Sequence, residues 1–246
     1  MKKIFALAGR NMLEILRDPL TTVFGIALPV LLLAILSMIN KSTVEVVAQF
    51  APECLVPAVC VFSLSFLTLF SGMILAKDRT TSFLSRLFAA PVSAAQFILG
   101  YTLPFLPVAG VQLLLCIAAG FCLGLPLNGE PALLLLSLIP SALLYLGIGM
   151  LCGVLFTDRQ VGGICGGALV NFSALFSGMW FDLSLTGRAM ETIAHIFPFA
   201  HAVDLARTVY SGADAALNVA VVLGYAVLCF AAAIPLFCRK MKNGKN

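Results

Sequence analysis

The sequence predicts an all-α membrane protein, and three observations support this fold class. Of the 246 residues, 61% are hydrophobic and only 11% are charged, whereas a soluble domain carries about 25% charged residues. The apolar residues are concentrated in six stretches, each close to the roughly 20 residues that a helix needs to cross a bilayer. Most of the charged residues lie between these stretches. We therefore expect one transmembrane domain that occupies residues 1–246.

The six predicted transmembrane helices are separated by short connections. Only the residues TDRQ (157–160) lie between the fourth helix and the fifth, which predicts a tight turn between antiparallel helices. The external connection 41–53 is too short to hold an additional domain. The predicted spans cover about residues 20–40, 54–76, 97–123, 132–156, 161–181 and 217–238.

Lysine and arginine are distributed unevenly between the two sides of this arrangement. Twelve of the 15 lie at the N-terminus, in the second and fourth connections or in the C-terminal tail, and three lie on the opposite side. Positive residues accumulate in cytoplasmic segments. Both termini are therefore predicted to be cytoplasmic, with the protein in the cytoplasmic (inner) membrane of a bacterial cell. The three residues on the opposite side are Lys41, Arg188 and Arg207.

Residues 1–18 have the pattern of an amphipathic helix that lies in the cytoplasmic membrane interface. On a helical wheel the charged side chains share one face and the apolar side chains cover the other. Pro19 follows Asp18 and marks the passage into the first span. No cleavage pattern follows the first lysines, so a removed signal peptide is not expected. The charged face comprises Lys3, Arg10, Glu14 and Arg17, and the apolar face comprises Ile4, Phe5, Ala8, Met12, Ile15 and Leu16.

The sequence lacks the motifs of several functional classes. It has no glycine-rich phosphate-binding loop, no HExxH and no GxSxG, so neither ATP hydrolysis nor these hydrolase chemistries are expected of this chain. No Asp, Glu, Lys or Arg lies near the middle of a predicted span, which disfavours an ion-coupled transporter. The eight cysteines form no CxxC pair, and no metal site is expected.

One polar group in the segment 182–216 could carry chemistry, namely His195, His201 and Asp204. Two histidines six residues apart do not share the face of one helix, so a catalytic or metal site is not expected here. These residues nevertheless define a second hypothesis, a six-span membrane enzyme that acts on lipid-linked substrates. A third hypothesis is an ion-coupled secondary transporter or a channel.

Small residues one helical turn apart are concentrated at the start of the fifth predicted span. They form two overlapping GxxxG pairs, a spacing that lets helix backbones approach closely in lipid. The pairs indicate packing either within the bundle or between two subunits. The residues are Gly162, Gly163, Gly166 and Gly167.

The cytoplasmic stretch KDRTTSFLSRLFAAPVS (77–93) predicts a short amphipathic helix over about residues 80–90. Its apolar side chains form one stripe, and Arg86 faces away from them. Pro91 ends this helix, and Ser93 with Gln96 forms a capping-box pattern that starts the next one. The stripe comprises Phe83, Leu84, Leu87 and Phe88.

Four stretches, in order, resemble the membrane subunit of type-2 ATP-binding cassette (ABC) exporters. LRDPLTTVFGIALPVLLLAIL (16–36) resembles the interfacial helix and first span of that family, and KDRTTSFLSRLFAAPVSAAQFILG (77–100) resembles its charged turn and "LxRLxxxPVS" element. GVLFTDRQVGGICGGALVNFSALFSGMWF (153–181) is similar to its fourth-to-fifth hairpin, and FPFAHAVDLARTVYSG (197–212) to the segment before its last span. The turn KDRTT departs from the glutamate and glycine that are common there, so contacts at this turn are expected to differ.

This resemblance implies a permease that dimerises with an identical or related subunit and works with two separate ABC ATPase subunits. ATP and Mg²⁺ would be bound by those partners, with no cofactor on this chain. Membrane lipid would contact the permease, and no nucleic acid is expected. The helix at about 80–90 would be the coupling helix, seated on the ATPase through Phe83, Leu84, Arg86, Leu87 and Phe88.

The resemblance also implies a transport path between the subunits and short re-entrant helices at about 188–212 in the outer leaflet. Pro198, Asp204 and Arg207 belong to this re-entrant segment. The exported substrate would be a drug, a peptide, a lipid or a polysaccharide. Side chains of the second and fifth spans that could line the path are Phe66, Phe70, Asn171, Phe172 and Phe176.

Overall fold

The computed structural model of the protein describes residues 2–19, 23–42, 48–80, 93–126 and 130–243. Every regular element in these ranges is a helix, which confirms the predicted all-α class. Two π-helical stretches, Val23–Ala27 and Gly162–Leu169, and two 3₁₀ turns, Ala48–Phe50 and Leu183–Thr186, accompany the α-helices. The α-helices are α1 (Lys2–Arg17), α2 (Leu28–Ser42), α3 (Pro52–Thr80), α4 (Ala94–Thr102), α5 (Phe105–Leu123), α6 (Glu130–Leu155), α7 (Asp158–Val161), α8 (Val170–Phe176), α9 (Arg188–Ile196), α10 (Pro198–Ser211) and α11 (Ala216–Asn243).

Among the described residues, five helical stretches are long and apolar enough to cross a membrane. They correspond to the first four predicted spans and the sixth, whereas the predicted fifth span is not among them. Its helix, 158–176, begins with Asp158 and Arg159 and holds four glycines, which lowers its mean hydropathy. Length and composition alone therefore support five spans. The five stretches are Val23–Ser42, Pro52–Arg79, Ala94–Leu123, Pro131–Leu155 and Ala216–Lys240.

The third predicted span begins with a cap and contains a turn. The Ser93 side chain accepts from the Gln96 backbone N–H, and the Gln96 side chain accepts from the Ser93 N–H, which confirms the predicted capping box. α4 ends at Thr102 and α5 begins at Phe105. Pro104 lies between them and has no N–H to continue the hydrogen-bond ladder of α4. The span is thus two helices in series.

α3 is the central helix of the bundle and packs most extensively against α6. Glycines allow the close contact: a Cβ on Gly149 would lie 2.7 Å from the Thr68 carbonyl oxygen, and a Cβ on Gly153 would lie 2.7 Å from that of Gly72. The Thr68 hydroxyl also donates to the Tyr145 carbonyl at 3.1 Å. In lipid, such close packing and interhelical hydrogen bonds hold helices together.

α1 has the predicted extent and packs along α4. Leu7, Ala8 and Ile15 are buried against the bundle, whereas Phe5 and Leu16 are exposed. Only part of the predicted apolar face therefore contacts the rest of the chain, and the remainder faces outward. The location of α1 in a membrane interface stays a prediction.

The structure describes one of the two predicted functional regions in full and only the flanks of the other. α3 continues to Thr80, and the predicted coupling helix, with its five contact residues between 83 and 88, lies outside the described residues. The predicted re-entrant segment forms two short helices, α9 and α10, and Pro198 is the first residue of α10, a position that favours proline. Insertion of this pair into the outer leaflet stays a prediction.

Replacing Gly149 by alanine is expected to destabilise the bundle, because the added Cβ meets backbone atoms of α3. Overpacking of this kind costs about 1–3 kcal/mol. Thermal unfolding in detergent, followed by circular dichroism, should give a lower midpoint for Gly149→Ala than for the wild type. Gly110→Ala is the matched control, because a Cβ on Gly110 meets nothing within 4 Å. Equal midpoints for the two variants would contradict the close approach of α3 and α6.

Candidate functional site

Asp78, near the end of α3, is the centre of a buried polar cluster. Its side chain is only 4% exposed. Arg10 of α1 donates to both carboxylate oxygens of Asp78, and the Tyr101 hydroxyl of α4 donates to one of them. A buried carboxylate is costly unless it is paired and hydrogen-bonded, and the hydrogen bond to Asp78 raises the pKa of Arg10 above its ordinary value. Asp78 thus ties both α1 and α4 to α3.

Further contacts hold α1 in the same position. The buried Asn11 side chain donates to the Gly100 carbonyl of α4 at 3.3 Å. Glu14 forms ion pairs with Arg10 at 2.9 Å and with Lys77 at 3.4 Å. These ion pairs are partly exposed and contribute little individually. α1 therefore contacts both helices that flank the predicted coupling helix.

Two positively charged side chains contact the C-terminal end of α6, where backbone carbonyls lack partners within the helix. Arg79 donates to the carbonyls of Gly153 and Val154. Lys240 of α11 donates to those of Val154 and Leu155 at 2.8 and 3.0 Å. Positive charge here also complements the helix dipole, and the ends of α3, α6 and α11 meet at this point. We define the charged base as Arg10, Asp78, Arg79, Tyr101 and Lys240.

Arg207 of α10 makes the corresponding contacts at the other end of the bundle. Its guanidinium is partly buried, and it donates to the carbonyls of Cys54 at 3.3 Å and of Gly178 at 3.2 Å. Burial lowers the pKa of this guanidinium. Because Cys54 and Asp78 belong to one helix, the two sites are separated by roughly 36 Å along α3. Arg207 thus fastens α10 to the start of α3 and to the chain after α8.

The structure brings His195, His201 and Asp204 together, although their spacing predicted separate faces of one helix. α9 ends at Ile196, so the chain turns before α10 and the two imidazole centroids approach to 5.3 Å. His195 Nε2 lies 3.3 Å from Asp204 Oδ2. The spacing argument holds for a single helix, whereas here the two histidines lie on two helices with a turn between them. In the described ranges, no group of three or more His, Cys, Asp or Glu side chains could hold a metal ion.

The aromatic residues predicted to line a path divide into two groups. Phe66 and Phe70 of α3 are buried and pack on each other. Phe70 also borders an apolar cavity of about 300 Å³ between α1, α3 and α5. Phe172 and Phe176 of α8 pack instead on the aromatic residues at the start of α10. A role of these four side chains in lining a path stays a prediction.

The glycines of the predicted fifth span have different surroundings. A Cβ on Gly166 would lie 3.1 Å from a side chain of α3, whereas a Cβ on Gly162, Gly163 or Gly167 meets nothing within 4 Å. Asn171 donates to the Gly167 carbonyl of its own helix at 2.6 Å. One face of this helix is therefore open in the single chain. Its use as a subunit interface stays a prediction.

Sequence reasoning missed the role of Asp78 and its partners. A signal was present, because Asp78 is one of only 11 acidic residues and stands between Lys77 and Arg79 at the end of a long apolar stretch. An ionisable residue at the end of such a stretch is usually paired. Its partners could not be named in advance, because Arg10 and Tyr101 lie on other helices whose neighbours the pattern does not reveal.

These features define a multi-pass helical membrane protein with a charged base at one end of its bundle. Residues 2–210 match the family model described as ABC-2 type transporter. The match covers most of the chain, which belongs to the ABC-2 type transporter family, whose members are membrane permeases of ABC transporters. Such permeases normally work with an ABC ATPase. A search of curated proteins gave no match.

Arg10→Met and Asp78→Leu should each lower the stability of the protein, and the double variant should lose less than their sum. Residues of one hydrogen-bonded network show coupling energies of about 0.5–3 kcal/mol, because each single variant leaves one charged partner behind. Thermal unfolding in detergent measures this coupling. The matched pair Arg188→Met and Asp214→Leu, which form no ion pair with each other, should be additive. Additivity of the first pair would show that it does not hold α1 to α3.

Proposed function

We propose that this chain is the permease subunit of an ATP-driven exporter, coupled to two separate ATPase subunits through the helix at about 80–90. The observation that carries the proposal is the charged base, which ties together the helices on either side of that segment. The permease would work as a dimer with an identical or related subunit. ATP and Mg²⁺ would be bound by the ATPase subunits, which would carry out the hydrolysis.

A displacement of the coupling helix would reach the bundle through its two flanking helices. The segment leaves α3 at Thr80 and enters α4 at Ala94. Because Tyr101 donates to Asp78, the last turn of α3 is joined to the far end of the short helix α4, and the two helices would move together. Arg10 adds α1 to this unit, and Arg79, on α3, adds the end of α6. A small movement at the ATPase surface would thus be shared by several helices.

Contacts at the two ends of the bundle support a sixth crossing. Arg79 donates to the Phe156 carbonyl at 3.3 Å beside the charged base, and the Gly178 carbonyl accepts from Arg207 at the other end. The helix 158–176 lies between these points. Nineteen α-helical residues would span roughly 28 Å, and the π-helical stretch Gly162–Leu169 makes this helix somewhat shorter than that, still near the hydrocarbon thickness of about 30 Å. Six crossings would leave both termini on the cytoplasmic side, in agreement with the distribution of Lys and Arg.

The path for the substrate would lie between the two permease subunits. The open face with Gly162, Gly163 and Gly167 is our candidate for the contact with the second subunit, since small residues permit close approach of helices. Phe172 continues this face and is 37% exposed, so it would lie near the path. An apolar or amphipathic substrate, such as a drug, a peptide, a lipid or a lipid-like polysaccharide precursor, fits these surroundings.

Purification of the complex tests the coupling helix. The double variant Arg86→Glu with Leu87→Asp should enter the membrane but lose the ABC ATPase encoded nearest to its gene, because it would place negative charge in the contact. We expect at least about a tenfold lower affinity, equivalent to about 1.4 kcal/mol, measured as ATPase retained per permease.

The matched control makes the same two kinds of substitution, Leu→Asp and Arg→Glu, at the other end of the protein. Leu185→Asp with Arg188→Glu alters two exposed residues of the outer segment and should retain the ATPase. Retention of the ATPase by the first variant, or its loss from both, would overturn the coupling assignment.

Cysteine labelling tests the six crossings. In a background without the eight native cysteines, Arg188→Cys should react with a membrane-impermeant maleimide on intact cells, whereas Arg159→Cys and Lys242→Cys should react only after permeabilisation. With five crossings, residue 188 would lie on the same side as residue 159, and the C-terminal tail would lie outside. Labelling of Lys242→Cys on intact cells is therefore incompatible with the proposed topology.

A further inference from the structure

Both imidazole rings at the α9–α10 turn have hydrogen-bond acceptors at both of their nitrogens. His195 Nδ1 lies 2.9 Å from the Glu191 carbonyl oxygen, and its Nε2 lies 3.3 Å from Asp204 Oδ2. His201 Nε2 lies 3.0 Å from the His195 carbonyl oxygen, and its Nδ1 lies 2.7 Å from Asn218 Oδ1. A neutral imidazole has one N–H, whereas an imidazolium has two. This arrangement therefore matches a protonated ring at His195, whereas the Asn218 amide can pair with either form of His201.

The C-terminal end of α9 supplies two of these four acceptors. The carbonyls of Glu191, His195 and Ile196 belong to its last turns, and the last of them accepts from the Tyr225 hydroxyl of α11 at 2.8 Å. A helix C-terminus carries partial negative charge and favours a cation beside it. The end of α9 is thus held by donors from α10 and α11, and two of its carbonyls accept from imidazole rings.

We propose that His195, His201 and Asp204 form a proton-binding site that fastens α9 and α10 to the start of α11. Loss of a proton from His195 Nε2 turns a donor into a lone pair that faces the Asp204 carboxylate. Loss of a proton from His201 Nδ1 leaves a lone pair that faces Asn218 Oδ1, until the amide rotates and presents its NH₂ group. Proton release therefore breaks one contact and rebuilds the other.

The charges around the site favour this behaviour. Burial raises the pKa of the Asp204 carboxyl, and the nearby His195 and Arg207 oppose that effect. The contact between α9 and α10 joins the ionised Asp204 carboxylate to the protonated His195 ring, so it is expected to loosen once that ring gives up its proton.

Several other charged side chains lie near His195, His201 and Asp204. A cavity of about 410 Å³ is lined by Glu53 of α3 together with Asp204, Arg207 and Asn218, and it offers a route for water. The Asp182 carboxylate raises the pKa of Arg207 and so opposes the effect of burial. On α9 itself the charged neighbours are Arg188 and Glu191. The site lies on the external side only if the six-span topology proposed above holds, whereas proton binding itself does not depend on it.

The experiment exploits the histidine content of the chain, because His195 and His201 are its only two histidines. The full-length protein is labelled with ¹⁵N-histidine, purified through a tag without histidine, and placed in lipid nanodiscs. Ring ¹⁵N shifts, recorded from pH 5 to pH 9, distinguish imidazolium from each neutral tautomer. We expect the ring shifts to show His195 protonated on both nitrogens while the contact between α9 and α10 is closed. Deuterium exchange of the amides in residues 188–211 should become about tenfold faster in the neutral form, as expected for local opening.

Matched variants separate the proposal from a purely structural role. Asp204→Asn should move the His195 transition to lower pH, because the anionic partner is lost, whereas Asn218→Leu should leave the His195 transition in place, because the Asn218 amide contacts only the other ring. Asp158→Asn, at the other end of the bundle, should also leave it in place. A His195 ring that stays neutral throughout, or a His195 transition that is identical in all variants, would overturn the site. The ATPase is absent from this experiment, so failure of the transport proposal would leave its result unchanged.

Discussion

One buried carboxylate, that of Asp78, requires hydrogen-bond partners, and this requirement determines which helices meet at one end of the bundle. Asp78 lies near the end of α3, the most buried of the five candidate spans. Burying its charge costs desolvation free energy, and the hydrogen bonds from Arg10 and Tyr101 offset that cost. Those two residues belong to helices that are distant in sequence. Satisfying a single charge therefore joins α1, α3 and α4, and it does so beside the segment that we assign to the ATPase.

α3 connects the two ends of the molecule. At one end it carries Asp78 and Arg79, and at the other end its Cys54 carbonyl accepts from Arg207 of α10. Between these points α3 packs against α6 through glycines, so the two helices are in direct backbone contact. A helix that is held at both ends and packed along its length transmits displacement more directly than a flexible connection does. α9 and α10 are therefore connected to the charged base through α3.

Much of the fold could be predicted from the sequence, and the reasons for the gaps are physical. Length and hydropathy indicated five of the spans, and the Ser93–Gln96 cap was readable because it is a local interaction. The helix 158–176 is less apolar, because it includes Asp158, Arg159 and four glycines, so its hydropathy alone does not mark it as a span. The contacts Arg10–Asp78 and His195–Asp204 could not be predicted, because periodicity identifies the face of a helix and not the neighbour that covers it. The assignment of Phe83 to Phe88 as ATPase contacts stays a prediction.

Deuterium exchange in the assembled permease–ATPase complex tests the central claim most directly, namely that the charged base links the ATPase to α9 and α10. Uptake by residues 188–211 is compared with and without a non-hydrolysable ATP analogue, in the wild type and in the double variant Arg10→Met with Asp78→Leu. We predict that the analogue changes uptake in the wild-type complex, whereas the variant retains its ATPase and shows no change. An equal change in both complexes would contradict the account.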